Sequence, residues 1–146
     1  MISETEDNFV KQLKANQSIV HKICRLYTSD QDAHNDLFQE ITIQLWKAFP
    51  KFRGESKFST WAYRVALNTA ITLYRKSTRS VNTVTYEAQQ HFFVQDEYNH
   101  EEEERLKLMY QAVQQLNDIE KALVYMYLED KDYTEIAETL GISEVN

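Results

Sequence analysis

Residues 32–76 read DAHNDLFQEITIQLWKAFPKFRGESKFSTWAYRVALNTAITLYRK, and this stretch decides the fold. Leu37, Ile41, Leu45 and Ala48 recur at i, i+4, i+8 and i+11, the period of a helix with one buried stripe. Phe38, Ile43 and Trp46 fall partly off that stripe, which leaves the helix more apolar surface than one packing face uses. Pro50 ends it, because proline has no amide donor and drives the preceding residue out of the helical region. A second periodic run follows in Phe58, Ala62, Val65, Ala66, Thr69, Ala70 and Leu73. Ser56 or Ser59 opens it, since either hydroxyl can accept an unpaired amide of the first turn.

Between the two helices, Lys51 to Phe58 place three cations, two aromatic rings and one glycine in eight residues. Trp61, Tyr63, Arg64, Asn68, Arg75 and Lys76 are distributed around the rest of the second helix. Cations contact phosphates and rings stack on unpaired bases, so this loop and helix have the composition of a grip for single-stranded nucleic acid. Phe58 and Trp61 suit the core equally well.

Outward from this centre the chain reads as helix throughout. Two glycines and one proline in 146 residues leave few breaks, so the expected class is all-α, with room for one domain or two small ones. Phe9, Val10, Leu13, Val20, Ile23, Cys24 and Tyr27 predict a helix from about 8 to 28, preceded by an acidic segment that is either frayed or its cap. Asp30 or Gln31 then precedes the central helix. Residues 77–104 lose the periodicity: a Ser/Thr cluster, then Tyr86, His91, Phe92, Phe93 and Tyr98 among acids, then Glu101 to Glu104. This reads as an acidic linker whose terminal glutamates suit the positive end of a helix. Leu106, Met109 or Tyr110, Val113 and Leu116 resume a stripe, and Asn117 with Glu120 has capping-box spacing. Ile119, Ala122, Leu123, Met126 and Tyr127 carry the next helix. Asp132 caps a short helix that Gly141 terminates, and Ile142 with Ser143 as a fresh cap completes the first half of a helix-turn-helix.

The net charge of −7 would argue against a nucleic-acid partner if it were evenly spread. It is not: residues 51–76 hold six cations against one acid, whereas residues 77–104 hold one against seven. The single Cys24 excludes an internal disulfide framework and a cysteine zinc cluster, and its apolar context reads as a buried thiol. His21 and His34 lack the spacing of a zinc-protease helix, so structural or exposed roles are expected for them and no metal or cofactor. With no long apolar run and no signal segment, a cytoplasmic protein without membrane insertion is expected.

The central stretch resembles region 2 of bacterial RNA polymerase sigma factors, in the small extracytoplasmic-function group. Asp36, Leu37, Phe38, Gln39 and Glu40, followed by Leu45 and Trp46, match that family's polymerase-binding helix. Phe52, Arg53, Gly54, Glu55 and Ser56, followed by Phe58, Trp61, Tyr63, Arg64 and Asn68, match its promoter-melting segment. Near the other end, Ile136, Ala137, Leu140, Gly141, Ile142 and Ser143 resemble the helix-turn-helix core of region 4.

The resemblance implies region 2 over 1–76, a linker over 77–104 and region 4 over 105–146. The last lacks most of its recognition helix, since the sequence given ends at Asn146. It implies a transcription initiation factor that docks on the largest-subunit clamp of core RNA polymerase through Asp36, Phe38, Gln39, Glu40 and Trp46. The non-template strand of the minus-10 element would meet Arg53, Lys57, Arg64, Arg75 and Lys76 at its phosphates. Phe52, Phe58, Trp61, Tyr63 and Asn68 would meet its bases or line pockets for them. The polymerase flap, a minus-35 duplex and an inhibitory anti-sigma protein are the further partners it implies. Asp36 and Glu40 at i, i+4 would also suit a catalytic or metal pair, but the Leu37 stripe and the resemblance favour a solvated binding face, so no enzyme is expected. The competing reading is a helical adaptor or regulatory module that binds polymerase or a regulator without initiating.

Overall fold

Ser3 starts the first helix. Its Oγ accepts the Glu6 amide at 3.1 Å, and the Glu6 carboxylate accepts the Ser3 amide at 3.0 Å, so the acidic N-terminal segment is a cap and first turn. In this computed structural model, residues 3–80 and 100–142 are described, and every regular element among them is helical. These are α1 (Glu4–Tyr27), α2 (Gln31–Ala48), a 3-10 turn (Phe49–Lys51), α3 (Phe58–Ser80), α4 (His100–Val113), α5 (Asp118–Leu128) and α6 (Tyr133–Leu140). The expected all-α class is the observed one. Tyr86, His91, Phe92, Phe93, Tyr98 and Ser143 lie outside the described residues.

The helix starts follow side-chain chemistry. Asp30 caps α2 by accepting the Ala33 amide at 2.7 Å. Asn117 and Glu120 form the expected reciprocal box at the start of α5, both bonds 2.9 Å. Asp132 caps α6 through the Glu135 amide at 2.8 Å. Gly141 ends α6 at φ 68°, a left-handed conformation that a side chain would strain. Pro50 sits inside the 3-10 turn after Ala48, so α2 closes just before it. Neither Ser56 nor Ser59 holds the cap position of α3: the Trp61 amide donates to the Lys57 carbonyl at 3.1 Å, so the helix opens one residue after Lys57.

The core forms where α1, α2 and α3 meet. Leu37, Ile41 and Leu45 of α2 are buried with Val20, Ile23 and Cys24 of α1, as their periodicity predicts. Ala62, Ala66 and Ala70, one residue per turn on α3, are buried too, and their small side chains let the neighbouring helices approach closely. Burying Ile41 or Leu45 contributes roughly 1.5–3 kcal/mol each. Burial pushes the Cys24 thiol up to about 12, so it serves as an apolar core residue.

Two stripes differ from expectation. On α3, Tyr63, Leu67 and Ile71 are buried while Val65, Thr69 and Leu73 are half-buried, because α5 packs on this helix in addition to α1 and α2. On α5, Tyr127 is 69% exposed, and Lys121 and Tyr125 lie inside in its place.

The interface between α5 and the first three helices is built on the end of α1. Helix geometry leaves the last carbonyls of α1 without intrahelical partners. Gln114 Nε2 donates to the Arg25 and Thr28 carbonyls at 3.2 and 3.0 Å, and Lys121 Nζ donates to the Leu26 carbonyl at 2.8 Å. Tyr27 Oη donates back to the Asp118 carbonyl at 2.6 Å. Lys121 is fully buried, its ammonium 5.1 Å from the Tyr74 ring centre and 5.9 Å from that of Tyr27. Desolvation lowers its pKa to about 8.

Candidate nucleic-acid interface

The loop between α2 and α3 turns at Gly54, whose φ of 75° only glycine adopts without strain. The turn sends Arg53 and Lys57 into solvent on either side of it. Beneath them the rings pack on one another. Phe52 stacks on Trp61 with centroids 5.0 Å apart and planes 26° apart, and Phe58 meets Phe52 edge-on at 5.8 Å. Lys51, Arg53, Glu55, Ser56 and the Phe52–Trp61 pair line an open cavity of about 510 Å³. Phe58 is only 8% exposed and belongs to the core under this floor, so its ring is not presented to solvent. Phe52 and Trp61 are half-buried, each with an edge at the cavity.

Along α3 the predicted residues divide. Asn68, Arg75 and Lys76 are on the exposed side. Tyr63 is 1% exposed and faces α5 and α6, where its hydroxyl donates to the Glu135 carboxylate and Lys131 Nζ lies 4.9 Å from its ring centre. Burial first, and then Glu135, push that phenol up to about 12. Arg64 approaches the same carboxylate at 4.0 Å while its Nε is buried with no hydrogen-bond partner among the described residues. Arg75 is ion-paired to Asp118 of α5. A ring expected at a base thus belongs to a helix interface, and two cations expected at phosphates share α5 or α6 acids.

The α2 residues divide similarly. Asp36 and Gln39 are exposed, and Glu40 accepts a hydrogen bond from Gln44 at 3.0 Å. Asp36 and Glu40 rim a cleft of about 340 Å³ between α2 and α3, floored in part by Leu37, Leu73 and Tyr74. Phe38 points elsewhere: its ring stacks on His21 of α1 at 4.4 Å. Trp46, 41% exposed, rests on Phe9 at 5.1 Å. In the helix-turn-helix segment Ile136 is buried, Ala137, Leu140 and Ile142 are half-buried, and Gly141 makes the exposed turn.

Sequence periodicity missed three polar features. Gln114 and Lys121 sit at the α1 end, and His21 Nδ1 lies 3.0 Å from His34 Nε2 with the rings stacked. Burial, then His21, then Arg25 lower the His34 pKa to about 4. No apolar spacing signals such partners; His34 and Lys121 are buried residues of polar type that only a neighbouring helix reveals. Among the described residues no group of three or more His, Cys, Asp and Glu could hold a metal ion, and no helix is long and apolar enough to cross a membrane.

Comparison with known proteins agrees with this architecture. The profile of Sigma-70 region 2 matches residues 13–80, which span most of α1 and all of α2 and α3, and that of Sigma-70 region 4 matches residues 106–146. The RNA polymerase sigma-H factor of Pseudomonas aeruginosa is 33% identical over 136 residues, 86% of this chain and 70% of that protein. The ECF RNA polymerase sigma-E factor of Escherichia coli K12 is 43% identical over 53 residues, 34% of this chain and 27% of that protein. The ECF RNA polymerase sigma factor SigG of Mycobacterium tuberculosis is 39% identical over 49 residues, 34% of this chain and 13% of that protein. With a three-helix core, a cationic ring-floored loop and a second helical segment matched as region 4, the chain belongs to the sigma-70 family, carrying the region 2 and region 4 of an extracytoplasmic-function factor.

Proposed function

We propose that this protein binds core RNA polymerase and directs it to promoters by recognising and melting the minus-10 element. In this reading residues 1–76 act as region 2, 77–104 as a linker and 105–146 as region 4. Asp36 and Glu40, at the rim of the α2–α3 cleft, and the exposed Gln39 make the polar contacts with the polymerase clamp, and Trp46 adds apolar area. Phe38 contributes by holding α2 against α1. Arg53 and Lys57 neutralise phosphates of the non-template strand, while the edges of Phe52 and Trp61 offer a stacking surface to bases that have left the duplex. Arg64, Arg75, Lys76 and Asn68 extend the track along α3. Region 4 contacts the polymerase flap, an anti-sigma protein is the proposed inhibitor, and the cytoplasm is the proposed compartment.

The observation that carries this reading is the exposed Arg53 at a cavity floored by the Phe52–Trp61 pair, with exposed Lys57 ending the same loop, separate from the acidic rim of Asp36 and Glu40. Two partners of different chemistry can therefore be held at once. The test is transcription from a promoter library by core polymerase with and without the protein, with the transcripts sequenced. Starts at shared promoter sequences that require the protein are expected. Polymerase binding without such starts would replace initiation with an adaptor role.

A further inference from the structure

On its solvent side α1 carries a charged stripe that neither of the two proposed binding faces uses. Glu4, Asp7, Lys11, Lys14, Lys22 and Arg25 follow one another in steps of three, four and eight residues, so they share one face of the helix. The start of the stripe is acidic and the rest is cationic. All but the half-buried Arg25 are exposed. Lys11 pairs with Asp7 at 3.2 Å and Lys22 with Glu129 at 2.9 Å, whereas no acid pairs with Lys14 or Arg25 among the described residues. Arg25 closes the stripe in an unbalanced corner. It stands one turn after His21, whose Nδ1 lies 3.0 Å from His34 Nε2 and whose ring stacks on Phe38 at 4.4 Å. Burial and then the Arg25 charge lower the pKa of His21; burial, His21 and Arg25, in that order, lower that of His34. Arg25 Nε is buried with no hydrogen-bond partner among the described residues. A desolvated cationic donor beside two imidazoles, with no acid acting on either ring, is an arrangement that an anion completes.

We propose that Arg25 and His21 form a carboxylate-binding site for a protein partner, an acidic helix that lies along the α1 stripe. The inference goes beyond the promoter-binding reading and does not rest on it: His34 and Phe38 face α1, whereas the Asp36–Glu40 rim opens on the α2–α3 cleft. The planar guanidinium takes a carboxylate through two parallel hydrogen bonds. In the tautomer where His34 Nε2–H donates to His21 Nδ1, the His21 Nε2–H is a further donor. The signs along the stripe choose the class of partner. A polyanion such as nucleic acid is repelled by Glu4 and Asp7. A helix antiparallel to α1, with acids toward its N-terminus and lysines in its last turn, pairs with both ends of the stripe, and that order also suits its own dipole. From Asp7 to Arg25 the stripe runs about 27 Å, the length of roughly five helical turns.

The test measures binding of two fluorescein-labelled, alanine-based helical peptides of five turns. One carries glutamates toward its N-terminus and lysines in its last turn; the other has the same composition in reverse order. Arg25→Gln and Lys14→Gln are compared with Arg105→Gln, which removes an exposed cation of α4 outside the stripe. The parent and Arg105→Gln should bind the first peptide alike and prefer it to the second. Arg25→Gln should bind it roughly tenfold more weakly, the loss of a charge-assisted hydrogen bond. Lys14→Gln should bind it about threefold more weakly, the loss of an exposed pair. The ring resonances of His21 and His34 should shift when this peptide is added to the parent. Equal binding of the two peptides overturns docking along the stripe. Unshifted resonances, or Arg25→Gln binding as tightly as Arg105→Gln, overturn the carboxylate site; should Arg25→Gln fail to fold, the exposed Lys14→Gln and the resonances decide. Duplex DNA that depends on Arg25 when the peptide does not replaces the polypeptide with a nucleic acid. The minus-10 reading survives each of these failures.

Discussion

The Phe52–Lys57 loop and the inner flank of α3 are made of the same residue types, cations beside aromatic rings, yet they end in opposite states. Arg53 and Lys57 stand in solvent because Gly54 turns the chain outward between them. Tyr63 is enclosed, and Arg64 and Arg75 face acids, because α5 and α6 arrive from more than 40 positions further along the chain. Composition therefore states what a surface could bind. Packing by a distant segment decides whether it is available.

Several measurements would break or sharpen that contrast. The largest effect is expected at Lys121. Lys121→Ala leaves a cavity and leaves the Leu26 carbonyl only the long contact from Gln114 Nε2 at 3.5 Å, so it should cost about 2–4 kcal/mol in urea unfolding. Lys121→Met keeps the stem and removes the desolvated charge but loses the same donor to the Leu26 carbonyl, so it should cost less than Lys121→Ala. The pH dependence gives the sign. With the folded pKa near 8 and the unfolded value near 10.5, the unfolded state holds the extra proton between them. The parent should therefore gain stability as pH rises from about 8 to 10.5, and Lys121→Met should lack this gain. A parent with no gain would mean that the ammonium is not desolvated at the α1–α5 contact.

Next in size is the acidic rim of α2. Replacing Asp36, Gln39 and Glu40 together by alanine should weaken core-polymerase binding by about tenfold or more, roughly 1.4 kcal/mol, with unchanged far-ultraviolet circular dichroism. Undiminished affinity would remove the docking assignment.

A smaller effect separates the two cationic regions directly. Arg53→Ala/Lys57→Ala should reduce the slope of log affinity against log salt for single-stranded DNA by about 0.7 per cation. Arg64→Ala/Arg75→Ala should reduce it less in the parent and by the full amount in the Asp118→Asn/Glu135→Gln background. Equal slopes in both backgrounds would erase the distinction between exposed and engaged flanks.

The last effect, read only as a pH dependence, is expected at His34. Its folded pKa, near 4, lies below the unfolded 6.5, so the unfolded state takes up the proton first as pH falls. The parent should lose stability progressively between about pH 6.5 and 4, and His34→Gln should lose less over that window, as read by thermal unfolding at each pH. Parallel curves would show that His34 titrates alike in the two states.

Most of the fold was legible because its determinants are local. Leu37, Ile41 and Leu45 mark their own buried stripe; Asp30, Asn117 with Glu120, and Asp132 mark helix starts; Gly141 marks a stop. Errors arose where a residue's neighbour is remote in sequence. Tyr127 fits the α5 stripe by spacing but is exposed, while Lys121, a poor candidate for burial by type, is inside because the open carbonyls of α1 receive it. Of the site, the Arg53–Lys57 loop was readable from its glycine and charges. The capture of Tyr63 by Glu135 was not, since nothing local to either residue names the other.

The amino-acid order by itself determined the helices, their caps, the apolar face of α2 and the concentration of positive charge in residues 51–76, because each depends on groups within a few turns of one another. Tertiary structure alone decided that α3 is covered by α5 as well as by α1 and α2, and which of its cations face solvent. Burial and ion pairing are properties of pairs of surfaces, and the second surface is supplied by a part of the chain whose approach no local pattern encodes.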